Sequence, residues 1–102
     1  MRVISQHGNV DLPYEQLVVC HAMESVIALY NGEKYILGEY SSKEKAYKAM
    51  EMLREHNEGV NFLKTIINTE KGAQFVRVLS KTDFDKLTQN YFRFPQDDEI
   101  EA

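Results

Sequence analysis

A chain of 102 residues, 43% apolar and 27% charged, has the size and composition of one ordinary globular domain, which argues against a disordered, fibrous or two-domain protein. Its net charge of −4, with Lys and Arg spread thinly, leaves no basic stripe to track a phosphate backbone, so duplex nucleic acid is not an expected partner. The lone Cys20 can close no internal disulfide, and the N-terminal apolar patch Val3-Ile4 is too short for a signal peptide or anchor, so a soluble cytosolic domain with no membrane partner is expected.

In chain order, Met1 to Ser5 reads as a short strand closed by the turn formers His7-Gly8-Asn9. Pro13 then limits where a second strand can start. The apolar runs Gln16–Ala22 and Val26–Tyr30, separated by Met23-Glu24-Ser25, make a hairpin. Asn31-Gly32 suits a two-residue type I′ turn into a return strand over Lys34–Tyr40. The first forty residues thus predict an antiparallel β-meander of three or four strands.

A helix follows. Ser41 stands three residues before Glu44 in a capping-box arrangement, and Ala46, Ala49, Met50 and Leu53 recur at helical spacing as a stripe that must face the sheet. Gly59 suits a left-handed C-terminal position and sets the expected end near Asn57. Val60 to Ile67 fits a second, short helix by its apolar set at 62, 63, 66 and 67. After a turn at Lys71-Gly72, Ala73–Leu79 reads as a strand with Phe75 and Arg77 on one face. Ser80 or Thr82 can cap a short helix over Asp83–Gln89. Asn90–Pro95 is extended, with Tyr91 and Arg93 on one face and Phe92 and Phe94 on the other. The expected fold is therefore α+β: an N-terminal meander packed by a central amphipathic helix, with further short helices and C-terminal strands in one domain over 1–95. Residues 96–102 form an acidic tail expected to be disordered in isolation.

Little in the chain promises catalysis. His7, His21 and His56 stand at no metal-ligand spacing, and Cys20 and His21, as neighbours in a strand, face opposite ways and make no dyad. There is no phosphate-binding glycine loop and no nucleophile elbow, so neither an enzyme nor a cofactor is expected. What stands out is Tyr91-Phe92-Arg93-Phe94-Pro95, one arginine among three aromatics. Aromatic faces with a guanidinium suit a planar anionic ligand, and they equally suit a sheet edge with Arg93 and Arg77 in surface ion pairs. Six Tyr and five Phe exceed the needs of one small core, so an uncovered aromatic face could meet a ligand or a second subunit.

Three blocks carry a resemblance. Met1-Arg2-Val3-Ile4-Ser5-Gln6-His7-Gly8-Asn9-Val10-Asp11-Leu12-Pro13-Tyr14-Glu15, then Gly38–Ala46 with Ala49–Arg54, then Phe92–Ile100 resemble small proteins of phages and prophages of Firmicutes. Among these the chain is similar to Thoeris anti-defence sponges of the first type, which sequester the cyclic ADP-ribose signal of bacterial immunity. The resemblance implies a homo-oligomer, a dimer or a trimer of dimers, that binds a cyclic nucleotide without cleaving it in the host bacterial cytoplasm. A second site for cyclic oligonucleotides belongs to the same implication. Such sponges use an aromatic for the adenine, arginines for the phosphates and a Thr-Asp pair upstream of an arginine. Thr82-Asp83 followed by Arg93 matches that pattern; Arg77 and Phe75 come next by sheet geometry, and Phe62 after them. Two other readings stay open: a protein-binding inhibitor of host defence that uses the acidic tail against a basic partner, and an accessory subunit that only assembles.

Overall fold

The computed structural model describes the backbone of residues 1–66 and 91–101 and the side chains of 1–62 and 91–101. Its elements are β1 (Arg2–Ile4), β2 (Asp11–Pro13), β3 (Val18–Ala22), β4 (Ser25–Tyr30), β5 (Glu33–Glu39), α1 (Lys43–Ile66) and β6 (Tyr91–Arg93), with 3-10 turns at Tyr14–Gln16 and Asp97–Glu99. The α+β fold with a meander and a central helix is the one expected. Several details differ, however, and they bear on where a site can lie.

The strands form two sheets. The meander is β3-β4-β5, while β1 and β2 belong to a separate sheet of order β2-β1-β6. β6 runs parallel to β1, pairing Arg2 with Tyr91, Val3 with Phe92 and Ile4 with Arg93. Sequence neighbours alone suggest one continuous meander, but the chain's far end inserts beside its first strand. As expected, alternation then exposes Tyr91 and Arg93 and turns Phe92 and Phe94 inward, with Phe94 fully buried. In the meander, Asn31 and Gly32 take φ of 52° and 79°, the signs a type I′ turn requires. The β3–β4 turn is tighter than expected, because Ala22 already pairs with Ser25.

β5 carries one extra residue. Val26 pairs with Gly38 and Ile27 with Ile36, so Leu37 bulges out of the ladder. Gly38 is required there, since a Cβ would stand 2.8 Å from the Tyr40 ring that lies over it.

The helix starts and ends later than its sequence signals suggest. The N-cap is Ser42 rather than Ser41: the Lys45 N–H donates to Ser42 Oγ at 3.2 Å, while the Ser41 N–H donates to Asp97 Oδ1 at 2.7 Å. Gly59 does not terminate α1. Val60, 4% exposed, extends the buried stripe of Ala46, Ala49 and Leu53 by two further turns, and that packing outweighs the roughly 1 kcal/mol a helical glycine costs. The segment from Val60 to Ile66 continues the same helix instead of forming a second one. The strand expected at Ala73–Leu79 and the helix at Asp83–Gln89 lie outside the described residues.

One hydrophobic core joins both sheets to the helix, with Val3, Leu12 and Phe94 from the first sheet, Val26, Ala28 and Leu37 from the second, and the α1 stripe. Above it sits Gln6, 4% exposed and fully occupied. Its Nε2 donates to the carbonyls of Glu39 and Pro95, both at 3.2 Å, and its Oε1 accepts the Glu39 N–H at 3.0 Å. Its backbone N–H donates to Leu37 O at 2.7 Å, and its carbonyl accepts Gln96 Nε2 at 2.8 Å.

Cutting this side chain back takes the partner from the N–H and the carbonyl of Glu39 at the end of β5, at roughly 1–3 kcal/mol each, while the Pro95 carbonyl keeps the Tyr40 hydroxyl. Gln6→Ala should therefore lower unfolding free energy by about 3 kcal/mol in urea denaturation. Arg2→Ala removes only an exposed pair to Asp11 at 2.8 Å and should cost under about 1 kcal/mol. Equal losses in the two variants would contradict the role given to Gln6.

Candidate functional site

The aromatic–arginine run has a defined place. Phe92 and Phe94 meet edge to face at 5.2 Å between centroids, and His56 of α1 lies 5.7 Å from Phe92, so these rings join sheet to helix. On the outer side, the Arg93 guanidinium folds over the first turn of the chain. One of its nitrogens donates to Gln6 O at 3.4 Å and stands over Gly8, whose φ is +78°. Among the described residues Arg93 makes no ion pair with a carboxylate. Its charge remains open to solvent beside Tyr91, 44% exposed.

Of the other positions singled out by the sequence, Phe62 is 53% exposed on α1. It lies six residues beyond His56, about 9 Å along the axis and rotated about 120° from the face that meets Phe92. The helix therefore does not turn Phe62 toward β6. Thr82, Asp83, Arg77 and Phe75 lie outside the described residues.

The acidic tail is part of the fold rather than a loose extension. Gln96 and Glu99 cap the 3-10 turn reciprocally, and Ile100 is 5% exposed in the core. Asp97 accepts the Ser41 N–H, and the Lys45 ammonium lies 3.3 Å from its other oxygen. The Ser41 N–H is the main reason the Asp97 carboxyl titrates below its ordinary 3.8; partial desolvation opposes this, and Lys45 adds to it. Tyr40 donates its hydroxyl to Pro95 O at 2.9 Å. Burial, with Asp97 and Glu99 nearby, pushes that hydroxyl well above the usual tyrosine range and keeps it a donor.

A cleft of about 460 Å³ opens between α1 and the segment leading into β3. Leu17, Val19, Met50 and Leu53 make its floor, Tyr14 and Tyr47 its walls, and Glu15, Glu51 and Arg54 its rim. Tyr47, Met50, Glu51 and Arg54 recur at i, i+3, i+4 and i+7, so one helix face beside the core stripe supplies most of it. Across the gap, Pro13 ends β2 and the 3-10 turn swings Tyr14 toward the helix. Tyr47 meets His21 edge-on at 6.3 Å and is 53% exposed. Among the described residues Arg54 is held by Glu58 alone, at 4.0 Å with both side chains largely exposed, so its guanidinium can turn into the cleft. Glu15 accepts the N-terminal ammonium at 2.6 Å, which offsets its charge.

The cleft thus offers two phenol faces, an apolar floor and one arginine, and its volume falls within the roughly 300–1,000 Å³ of small-ligand sites. No sequence motif marks it. Its only trace is that Tyr47 and Arg54 stand seven residues apart, next to the Ala46/Leu53 pair. Among the described residues no three His, Cys, Asp or Glu side chains come together as a metal site, and no helix is long and apolar enough to cross a membrane. Comparison of the chain with protein-family models, with curated proteins and with solved structures gives no match.

The Asp97 contacts set a pH dependence. Because its folded pKa lies below the unfolded value, its contribution is present above about pH 4 and is lost as pH falls through the folded pKa. Asp97→Asn should lower the urea midpoint at pH 7, and the gap to the unmodified chain should close as pH falls below about 4 through the folded pKa. A gap that persists unchanged at pH 2 would count against this role.

Proposed function

We propose that this chain is a non-catalytic binding protein that sequesters a cyclic nucleotide immune signal, as a phage anti-defence sponge working as a homo-oligomer in the host bacterial cytoplasm. The observation that carries the reading is the cleft, where Tyr14 and Tyr47 flank an apolar floor and Arg54 stands at the rim. A purine can stack on either phenol, and a phosphate can take the two parallel N–H groups of a guanidinium. Glu51, one turn from Arg54, can accept from ribose hydroxyls. Arg93 with Tyr91 is a second aromatic–arginine pair on the chain's surface, and the similarity to the sponges would extend it with Thr82, Asp83, Arg77 and Phe75.

Capture without turnover acts by mass action, so it needs sites in number and affinity, not a nucleophile or a metal. The competing reading, a charge mimic built on the acidic tail, is weakened by the engagement of Asp97 and Ile100 within the fold. That leaves mainly Asp98, Glu99 and Glu101 facing solvent.

Cyclic ADP-ribose isomers at about a hundred times Kd should stabilise the protein by roughly 2.7 kcal/mol, read as a rise in Tm. Mass spectrometry after heating should recover the ligand intact. Arg54→Ala and Tyr47→Ala should each weaken binding about tenfold or more, and Arg93→Ala by roughly 2 kcal/mol if the second pair shares the ligand. An unchanged Tm across a panel of cyclic nucleotides would reject the proposal, and recovery of a cleaved product would make the protein an enzyme.

A further inference from the structure

Among the described residues only one face of the sheet β3-β4-β5 is covered. Val26 and Ala28, both 0% exposed, turn toward α1. By the strand pairing, the opposite face carries Val18 and Leu29 in one cross-strand row and Cys20, Ile27 and Ile36 in the next. Val18, Leu29 and Ile36 are 60%, 41% and 54% exposed, while Cys20 and Ile27 between them are half-buried. A contiguous apolar patch on a three-stranded face is a surface built for a partner rather than for water.

The charges on this face say which partner. Lys34 pairs with Leu29 at one end, and Glu39 pairs with Ser25 at the other, on either side of Ile36. Ile36 and Glu39 are three residues apart and in a regular strand would point to opposite faces. The Leu37 bulge absorbs one residue and returns Glu39 to the side of Ile36 and Lys34. The result is an apolar centre with a cation at one end and an anion at the other. An anionic membrane would call for a single basic sign. A two-fold axis laid along the row Cys20–Ile27–Ile36 reverses the strand direction, sets that row against itself, places Val18 and Leu29 over the partner's Ala22 and Ser25, and brings Lys34 opposite the partner's Glu39 twice over.

We infer that this outer sheet face is the self-association surface, occupied by a second copy of the chain packed face to face across that axis. The inference deepens the homo-oligomer part of the reading above and needs nothing from the ligand part. Face-to-face sheets sit about 10 Å apart, a spacing that side chains of the size of Val, Leu and Ile fill from both sides.

Sedimentation velocity and light scattering on the full chain test it. The native protein should have at least twice the 11.9 kDa chain mass. Ile36→Arg should give a folded monomer by circular dichroism. Lys34→Glu alone and Glu39→Lys alone should each weaken association about tenfold or more, and the two together should restore it. Because Cys20 is the chain's only thiol, its reaction with a thiol reagent should be slow in the native assembly and fast in the Ile36→Arg monomer. A native monomer overturns the inference, whether its Cys20 is reactive or already covered by the chain itself. Assembly that survives Ile36→Arg, or that the double charge swap fails to restore, also overturns it by placing the interface elsewhere. Ligand binding by a native monomer would leave the sponge reading standing while removing this interface.

Discussion

One buried amide holds the molecule together. Gln6 follows the first strand, yet its side chain and backbone satisfy groups on Leu37, Glu39, Pro95 and Gln96. A primary amide suits this place because it donates and accepts at once and carries no charge to desolvate. Removing it would take the partner from the N–H and carbonyl of Glu39 and untie the end of β5 from the segment after β6, so the two sheets meet where they do because this residue is there. Three stretches far apart in sequence converge on this point: Gln6 from the first, Glu39 and Tyr40 from the second, Pro95 to Asp97 from the third.

Much of the fold was legible wherever local pattern and tertiary demand coincide. Asn31-Gly32 announced its turn because few other pairs take two positive φ values cheaply, and Ala46, Ala49 and Leu53 announced the buried face by spacing. Legibility failed where a distant partner decides. Nothing near Met1 says that β1 will pair in parallel with residues some ninety positions later, and Gly59 looks like a terminator until Val60 is seen buried beyond it. Ser41 and Ser42 are equivalent as letters, and Asp97 breaks the tie by taking the N–H of the first.

The candidate site was less legible for a related reason. Arg93 drew attention because it stands among aromatics in sequence, and in space it lies over the opening turn with Tyr91 beside it. The cleft, by contrast, is assembled from Tyr14 on a turn and from Tyr47 and Arg54 on a helix whose pattern reads as ordinary core plus ordinary solvent face. A stripe that is half-buried belongs to neither class, and periodicity alone gives it no label.

The parallel pairing of β6 with β1 has a consequence for the order of events in the life of the chain. Val3 lies between an early neighbour, Leu12, and a late one, Phe92, and the start of α1 leaves Ser41 waiting for Asp97. Synthesis delivers the N-terminal pieces first. The meander and helix can collapse locally, but the first sheet stays one strand short, with an open edge able to pair with other chains, until Tyr91–Arg93 arrive. Closure of the first sheet is thereby tied to the arrival of Tyr91–Arg93, and a product that stops before Tyr91 keeps an unsealed core, lacking Phe94 and Ile100, and an unpaired strand edge by which it can be recognised.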